Sequence, residues 1–318
     1  MDFTQTYSNQ TPYYLAFSLI PEIGIHTLMS LMQKFGTPEN AYQQKLSILE
    51  SCIGKKKAEN ICTFRKKNTP HKIYEALYKN GVQIADFDTV NKSQSFLHIS
   101  PKPICLYIKG SMKFLTHTSP KIAIVGTRKP TLYGTKNAQY FSQQLTSAGF
   151  SIISGMAAGI DSCVHRTCID ANGYTVAIIG SGILAKKTAS QEYMQTNILA
   201  SGGTLISEFS PYAEAQPGHF VIRNRVISGL ADATLVIEGT GRSGACITAR
   251  YAAEQGKDVY CIPGNIDSAN AECTNRLIKN GAHLVTSPED IIPHFIASNE
   301  TSSTSTEDHK VIHHVRMK

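Results

Sequence analysis

The stretch that decides the fold is Lys121-Ile-Ala-Ile-Val-Gly-Thr-Arg128, a short apolar run that ends in a glycine, a hydroxyl residue and an arginine. Residues 122–125 predict a strand that helices cover on both faces, because the run is continuously apolar and does not alternate with polar residues. Gly126 lets the backbone approach a ligand, and the planar guanidinium of Arg128 can bind a phosphate through two parallel hydrogen bonds. The stretch therefore predicts a buried strand followed by a phosphate-binding loop.

Further strands and helices alternate along the rest of the chain. Two short strands are predicted before this stretch, at residues 82–85 and 104–108. The strands predicted after it are 151–153, 175–179, 204–207, 234–237, 259–262 and 283–285. The helices predicted between them are 134–148, 159–171, 192–200, 224–230, 245–255 and 273–280. This alternation indicates an α/β fold, an extended Rossmann-like doubly wound sheet.

The N-terminal part has a helical pattern instead. A helix that starts at Thr11-Pro12 and ends near Pro21, then a break and a second helix, is typical of a helix-hairpin-helix. A further helix is predicted between the basic runs Lys55–Lys57 and Arg65–Lys67, which either contact nucleic acid or form a solvated face. We expect a small all-helical domain over residues 1–81. A Rossmann-like domain over 82–296 and a disordered polar tail over 297–318 are expected to follow.

Composition narrows the class of protein. The 318 residues are 42% hydrophobic, enough for a sizeable core, and the 31 Lys and Arg against 24 Asp and Glu give a net charge of +7, which permits a polyanionic partner. No leader and no apolar run of about 18 residues is evident, so a cytoplasmic location without membrane insertion is expected. The eight cysteines include no C-x-x-C pair. They are expected to be reduced thiols, with neither disulfides nor a metal site.

Ligands of open α/β sheets bind beyond the carboxyl ends of the strands, so the loops at those ends are candidate sites. The first loop supplies Gly126, Thr127, Arg128 and Lys129, the second supplies Ser154 and Gly155, and a third, glycine-rich loop supplies Ser243 and Gly244. The second and third loops lead into helices whose free N–H groups favour an anion. The alternative is that the glycines only form turns and that Arg128 is an ordinary surface residue.

A fourth candidate segment runs from Pro217 to Arg225 and is expected just before a helix. It contains Phe220, Arg223, Asn224 and Arg225. Guanidinium groups for phosphates beside a ring for base stacking are typical of single-stranded nucleic-acid sites. The alternative is that Phe220 belongs to the core and that one arginine neutralises a buried carboxylate such as Glu208 or Glu238.

Several motifs, in this order, closely resemble the DNA-processing protein A family (DprA, also called Smf). They are Gly126–Arg128 with Tyr133-Gly134, Ser154–Asp161 with His165, Ser207–Phe209, Arg223–Leu230, and Ser243-Gly244 through Thr248-Ala249 to Pro263-Gly264. The resemblance covers roughly residues 121–285. The helical N-terminal part loosely resembles the family's small sterile-alpha-motif-like domain.

The resemblance implies a non-catalytic protein without a cofactor. Such a protein binds single-stranded DNA taken up in natural transformation, protects it, and loads RecA recombinase onto it. It also implies a homodimer formed through residues around 259–285. The implied DNA site consists of the loop residues and Phe220–Arg225 segment named above. The chain departs from the family's pattern in two places. The loop 180–194 lacks the family's Tyr-Pro and Asn, and a C-terminal winged-helix domain is expected to be missing.

Three other functions are considered. Gly180, Gly182 and Ala185 have the spacing of a dinucleotide fingerprint, but no acidic residue ends the next strand to bind a ribose.

Glu238–Gly241 partly resembles the loop of a lonely-guy phosphoribohydrolase. His165 could pair with Asp161, yet no nucleophile is evident beside them. A protein scaffold without DNA affinity is the third alternative.

Overall fold

The computed structural model describes residues 8–116 and 119–295, so the predicted tail at 297–318 lies outside the described residues. The helices are α1 (Thr11–Leu19), α2 (Ile25–Phe35), α3 (Pro38–Gln43), α4 (Leu46–Ile53), α5 (Lys55–Lys67), α6 (Pro70–Lys79), α7 (Phe87–Lys92), α8 (Lys113–Thr116), α9 (Leu132–Ser147), α10 (Ile160–Asp170), α11 (Ala189–Ala200), α12 (Pro217–Leu230), α13 (Gly244–Glu254) and α14 (Glu272–Lys279). The strands are β1 (Gln83–Asp86), β2 (Cys105–Gly110), β3 (Lys121–Val125), β4 (Ser151–Ser154), β5 (Thr175–Ile178), β6 (Thr204–Ser207), β7 (Ala233–Val236), β8 (Asp258–Cys261) and β9 (His283–Leu284).

The described strands form one nine-stranded sheet in the order β1-β2-β6-β5-β4-β3-β7-β8-β9. The pairs β1–β2 and β2–β6 are antiparallel, and every other neighbouring pair is parallel. Helices α9 and α10 share a core with one face of the central strands, while α12 and α13 share a core with the other face. The prediction of a Rossmann-like doubly wound sheet is confirmed.

Strand β3 lies at the point where the strand order reverses. Its neighbours are β4 on one side and β7 on the other, and all three run in parallel. Their carboxyl ends therefore lie at the same edge of the sheet, which is where doubly wound folds bind ligands. This topology brings together the loops that follow β3, β4 and β7.

The helical N-terminal part packs directly on the sheet. Phe17 of α1 belongs to the same hydrophobic cluster as Tyr107 of β2 and Leu205 of β6. The Ser18 and Tyr107 hydroxyls lie 2.8 Å apart, and the Thr11 hydroxyl donates to Asp86 at 2.5 Å. The helix predicted around the basic runs is confirmed as α5, whereas the division of the chain at residue 82 stays a prediction.

The expectation that every cysteine is a reduced thiol is wrong for one pair. Cys246 and Cys273 form a disulfide whose Cα atoms are 6.0 Å apart. Cys246 lies in the first turn of α13 and Cys273 in the first turn of α14, so helices that begin at the same edge of the sheet bring them together. The sequence separation of 27 gives no sign of this proximity.

Candidate nucleic-acid interface

A cavity of about 210 Å³ opens at the carboxyl ends of β3 and β7. We call it the Arg128 groove. Eight of the twelve predicted site residues line it, and three elements supply them: the loop after β3, helix α12, and the loop that leads into α13. These eight residues are Gly126, Thr127, Arg128, Phe220, Arg223, Asn224, Ser243 and Gly244.

The accessible part of the groove is a cation above an aromatic ring. Arg128 is exposed, and its guanidinium carbon lies 5.0 Å from the centroid of the half-buried Phe220 ring. Behind the ring stands Gly180, where a Cβ atom would lie only 2.8 Å from the ring carbons. Glycine at this position therefore leaves room for Phe220, and the groove offers a charge for a phosphate beside a ring on which a base can stack.

Arg223 forms the floor of the groove. It is 4% exposed, and its Nη1 donates to the backbone oxygens of Gly155, at 2.5 Å, and Ile178. A Cβ atom at Gly155 would lie 2.7 Å from this guanidinium. Burial lowers the pKa of Arg223 to about 10, and the nearby charge of Asp161 opposes that shift. Arg223 thus holds the second loop in place and puts a buried positive charge beneath the groove.

Arg225 does not line the groove. It is buried and forms an ion pair with Glu208, whose pKa is raised by burial while the Arg225 charge opposes the rise. This ion pair agrees with the alternative that an arginine neutralises a buried carboxylate, and contact between Arg225 and a phosphate stays a prediction.

Arg225 lies outside the groove because α12 begins at Pro217 and not at residue 224, as had been predicted. Phe220, Arg223 and Asn224 are then spaced i, i+3 and i+4 and share one helical face, whereas Arg225 points elsewhere.

Asn224 links the groove to the third loop, because its side-chain amide donates to the Gly244 oxygen at 3.2 Å. The remaining predicted residues have other positions. Ser154 is fully buried, and its hydroxyl donates to the Ile124 oxygen at 2.7 Å, so it joins β4 to β3 and does not line the groove. Lys129 is exposed beside the groove without lining it. Its contact with DNA stays a prediction.

Two buried polar residues beneath the groove were not predicted as site residues. Asp161 lines the groove and accepts a hydrogen bond from the Ala157 amide at 3.3 Å; burial raises its pKa, and the Arg223 charge opposes the rise. His165 does not pair with Asp161, as had been considered, since its Nδ1 lies 2.7 Å from the Thr175 hydroxyl. Burial and the nearby Arg223 charge lower the pKa of His165 to about 3. Asp161 and His165 are four residues apart in α10, and this spacing of one helical turn is the sequence feature that could have indicated that they lie together.

The dinucleotide fingerprint is not supported. A dinucleotide needs a helix to open directly after Gly180 and Gly182, but α11 begins only at Ala189. Among residues 8–116 and 119–295, no group of three or more His, Cys, Asp or Glu is arranged to hold a metal ion. Over the same residues, no helix combines the length and apolar character needed to cross a bilayer.

Comparisons with known proteins indicate one family for this chain. The family model described as "DNA recombination-mediator protein A" matches residues 85–296. The "Protein Smf" of Synechocystis sp. is 32% identical over 290 residues, which are 90% of this chain and 72% of that protein. The matches to other curated relatives cover less of those proteins, down to 49% of their length.

Two solved structures share the fold. The X-ray structure of DNA processing protein A from Streptococcus pneumoniae covers 91% of this chain and 99% of its own, with a TM-score of 0.75 and 26% identity. A structure that reports the single-stranded DNA binding mode of DNA processing protein A from Helicobacter pylori covers 68% of this chain and 96% of its own. Its TM-score is 0.60 and its identity 24%.

Proposed function

Because the chain belongs to the DNA recombination-mediator protein A family, we propose that it binds single-stranded DNA in the Arg128 groove and acts in DNA recombination. The observation that carries the proposal is the pair formed by the exposed guanidinium of Arg128 and the Phe220 ring, 5.0 Å apart. A base can stack on an aromatic face only when it is not paired in a duplex. The groove therefore favours single strands over double strands.

The charges in the groove favour binding of an anionic ligand, and the buried residues beneath it are not arranged to catalyse a reaction on that ligand. Arg128 meets solvent, Arg223 lies beneath it, and the net charge of the chain is +7. The buried Asp161 accepts a backbone hydrogen bond. His165 bonds to Thr175 and is kept neutral by its low pKa. We therefore assign the groove to binding and not to catalysis.

Three finer roles extend the proposal. The bound strand is protected from nucleases, RecA recombinase is loaded onto it during natural transformation, and the protein acts in the cytoplasm as a homodimer. The edge of the sheet supports the dimer, because β9 pairs only with β8 among the described strands and its Leu284 is 52% exposed. An exposed apolar edge strand is a surface that a second copy can cover.

The test is a titration of oligo-dT and of a duplex of equal length at two salt concentrations. The wild type should bind oligo-dT more tightly, and its affinity should fall as salt rises because counterions are released from phosphates. Arg128→Ala should weaken binding and reduce the slope of log K against log salt by about 0.7, the contribution of one phosphate contact on a single strand.

Arg250→Ala is the matched control. Arg250 is an exposed arginine of α13 that does not line the groove, and it pairs with Glu254. Its removal changes the net charge equally but leaves the groove intact, so the salt slope should stay close to that of the wild type. Equal affinity for strand and duplex, or equal effects of the two substitutions, would refute the proposed site.

A further inference from the structure

A second cavity, of about 490 Å³, opens at the carboxyl ends of β7 and β8. We call it the Glu238 cavity, and its wall includes Thr131, Tyr133, Ile237, Glu238, Ile262 and Ser268. Ile237 and Ile262 belong to the core under α9, so this cavity lies on the face of the sheet opposite to α12. Its volume falls in the range of about 300–1,000 Å³ that is usual for small-molecule sites.

The chemistry of the cavity is set by one fixed carboxylate. Glu238 is 5% exposed, and its two oxygens accept hydrogen bonds from the Thr131 amide, at 3.0 Å, and the Thr131 hydroxyl, at 2.5 Å. An ionised carboxylate only accepts, and each oxygen keeps capacity for another donor. No lysine or arginine lines the cavity. A phosphate is therefore excluded, and a neutral group with N–H donors is favoured.

The walls fit a flat ligand. Tyr133 is half exposed, and its hydroxyl donates to the Pro263 oxygen at 2.8 Å, so its ring spans the distance from α9 to the loop after β8. The side chains of Ile237 and Ile262 supply apolar wall beside it. An aromatic ring, aliphatic walls and one acceptor are the combination by which proteins bind the edge and face of a nucleobase.

The cavity and the Arg128 groove share the loop after β3. Asn270 beside the cavity donates to the Lys129 oxygen at 3.0 Å and accepts from the Gly239 amide at 2.6 Å. The groove and the cavity therefore border the same loop, which lets a strand bound at Arg128 place a nearby base in the cavity.

We propose that the Glu238 cavity binds one nucleobase that carries an amino group, with Glu238 accepting from the amine and Tyr133 contacting the ring. If the base belongs to a bound strand, this inference deepens the proposed function and rests on it. Carboxylates accept from the N4 amine of cytosine, whereas uracil presents a carbonyl oxygen at the same position. The cavity therefore discriminates cytosine from uracil.

The experiment compares oligo-dC with oligo-dU, since these strands differ in the amine and stack weakly. The wild type should prefer oligo-dC by about tenfold, the size of one good base contact. Ser268→Phe, which fills the cavity, should abolish the preference while oligo-dU affinity is retained. Ala269→Phe is the matched control, because Ala269 is exposed in the same loop and does not line the cavity. Glu238→Gln should also lose or reverse the preference.

Free deoxycytidine, titrated alone and against oligo-dU, identifies the source of the base. Binding of the nucleoside that oligo-dU does not displace assigns the cavity to free nucleosides, while a preference seen only with oligo-dC assigns it to a base of the strand. Equal wild-type affinity for the two strands, together with no nucleoside binding, would overturn the inference and leave the proposed function standing. Loss of all strand binding would instead refute the proposed function, and the nucleoside titration would still test the cavity.

Discussion

At the residue scale, three arginines show how position changes the role of one side chain. Arg128 is exposed above the Phe220 ring, Arg223 is buried under the groove, and Arg225 is buried against Glu208. A guanidinium in solvent can exchange water for phosphate oxygens, whereas a buried one must keep its partners because an unpaired buried charge costs several kcal/mol. Of these three arginines, Arg128 is therefore the one that we propose as the phosphate ligand.

His165 makes the stability of the protein depend on pH. Its Nδ1 faces the Thr175 hydroxyl, which donates its own proton to the Ile152 oxygen at 2.9 Å, so Nδ1 carries the hydrogen. Nε2 has no hydrogen-bond partner and would carry the added proton in the charged form. Burial thus lowers the pKa of His165 from 6.5 to about 3.

At pH values between these two pKa values, His165 binds a proton in the unfolded chain but stays neutral in the folded protein. We expect His165 to reduce the free energy of unfolding by about 1.4 kcal/mol per pH unit as pH falls below 6.5, with no contribution above that pH. Urea unfolding from pH 7 to 4 measures this slope. His165→Gln should flatten it, and the exposed His26→Gln should not; identical slopes in all three proteins would contradict the assignment.

At the element scale, the groove depends on contacts between loops and one helix. The loop after β4 lies so close to α12 that a Cβ atom at Gly155 would lie 2.7 Å from the Arg223 guanidinium. Arg223 cannot move aside without losing its hydrogen bonds to the backbone oxygens of Gly155 and Ile178. The close approach of helix and loop fixes the floor of the groove.

Gly155→Ala should therefore lower the free energy of unfolding by about 1–3 kcal/mol, the usual cost of overpacking, and weaken oligo-dT binding. Gly218→Ala is the matched control, because a Cβ atom there meets nothing within 4 Å and the residue lies in the first turn of α12. Alanine should leave stability unchanged or raise it by up to about 1 kcal/mol. Chemical denaturation and fluorescence anisotropy measure both effects, and equal behaviour of the two variants would show that Arg223 does not need this close contact.

At the scale of the whole molecule, the helical part and the sheet share a hydrophobic core. Phe17 is fully buried in the cluster that also holds Tyr107 and Leu205 of the sheet. Apolar surface buried between two parts couples their stabilities, since either part alone would expose it to water. The two parts should unfold together.

Phe17→Ala should lower the free energy of unfolding by about 3–5 kcal/mol and shift one cooperative transition. Far-UV circular dichroism and hydrogen exchange of sheet amides should report the same shift. Tyr78→Ala, at a position that is 60% exposed on α6, should change stability by no more than about 0.5 kcal/mol. A separate early transition of the helices, with the sheet amides still protected, would show that the cores are independent.

The sequence by itself determined the sheet and the edge at which ligands bind. Short apolar runs such as residues 122–125, bounded by glycine-rich turns, favour a strand covered on both faces. The turns that follow these strands lie at one edge because parallel strands share a direction. The Gly126–Arg128 loop was predicted for this reason and lines the groove.

Only the tertiary structure decided which side chains lie next to each other at that edge of the sheet. The start of α12 at Pro217 put Phe220 and Arg223 on one face and turned Arg225 toward Glu208. The Glu238 cavity and the Cys246–Cys273 disulfide likewise join residues from separate loops and helices. Local sequence patterns reflect hydrophobic periodicity and turn chemistry, but the direction of a polar side chain depends on helix phase and on partners distant in the chain.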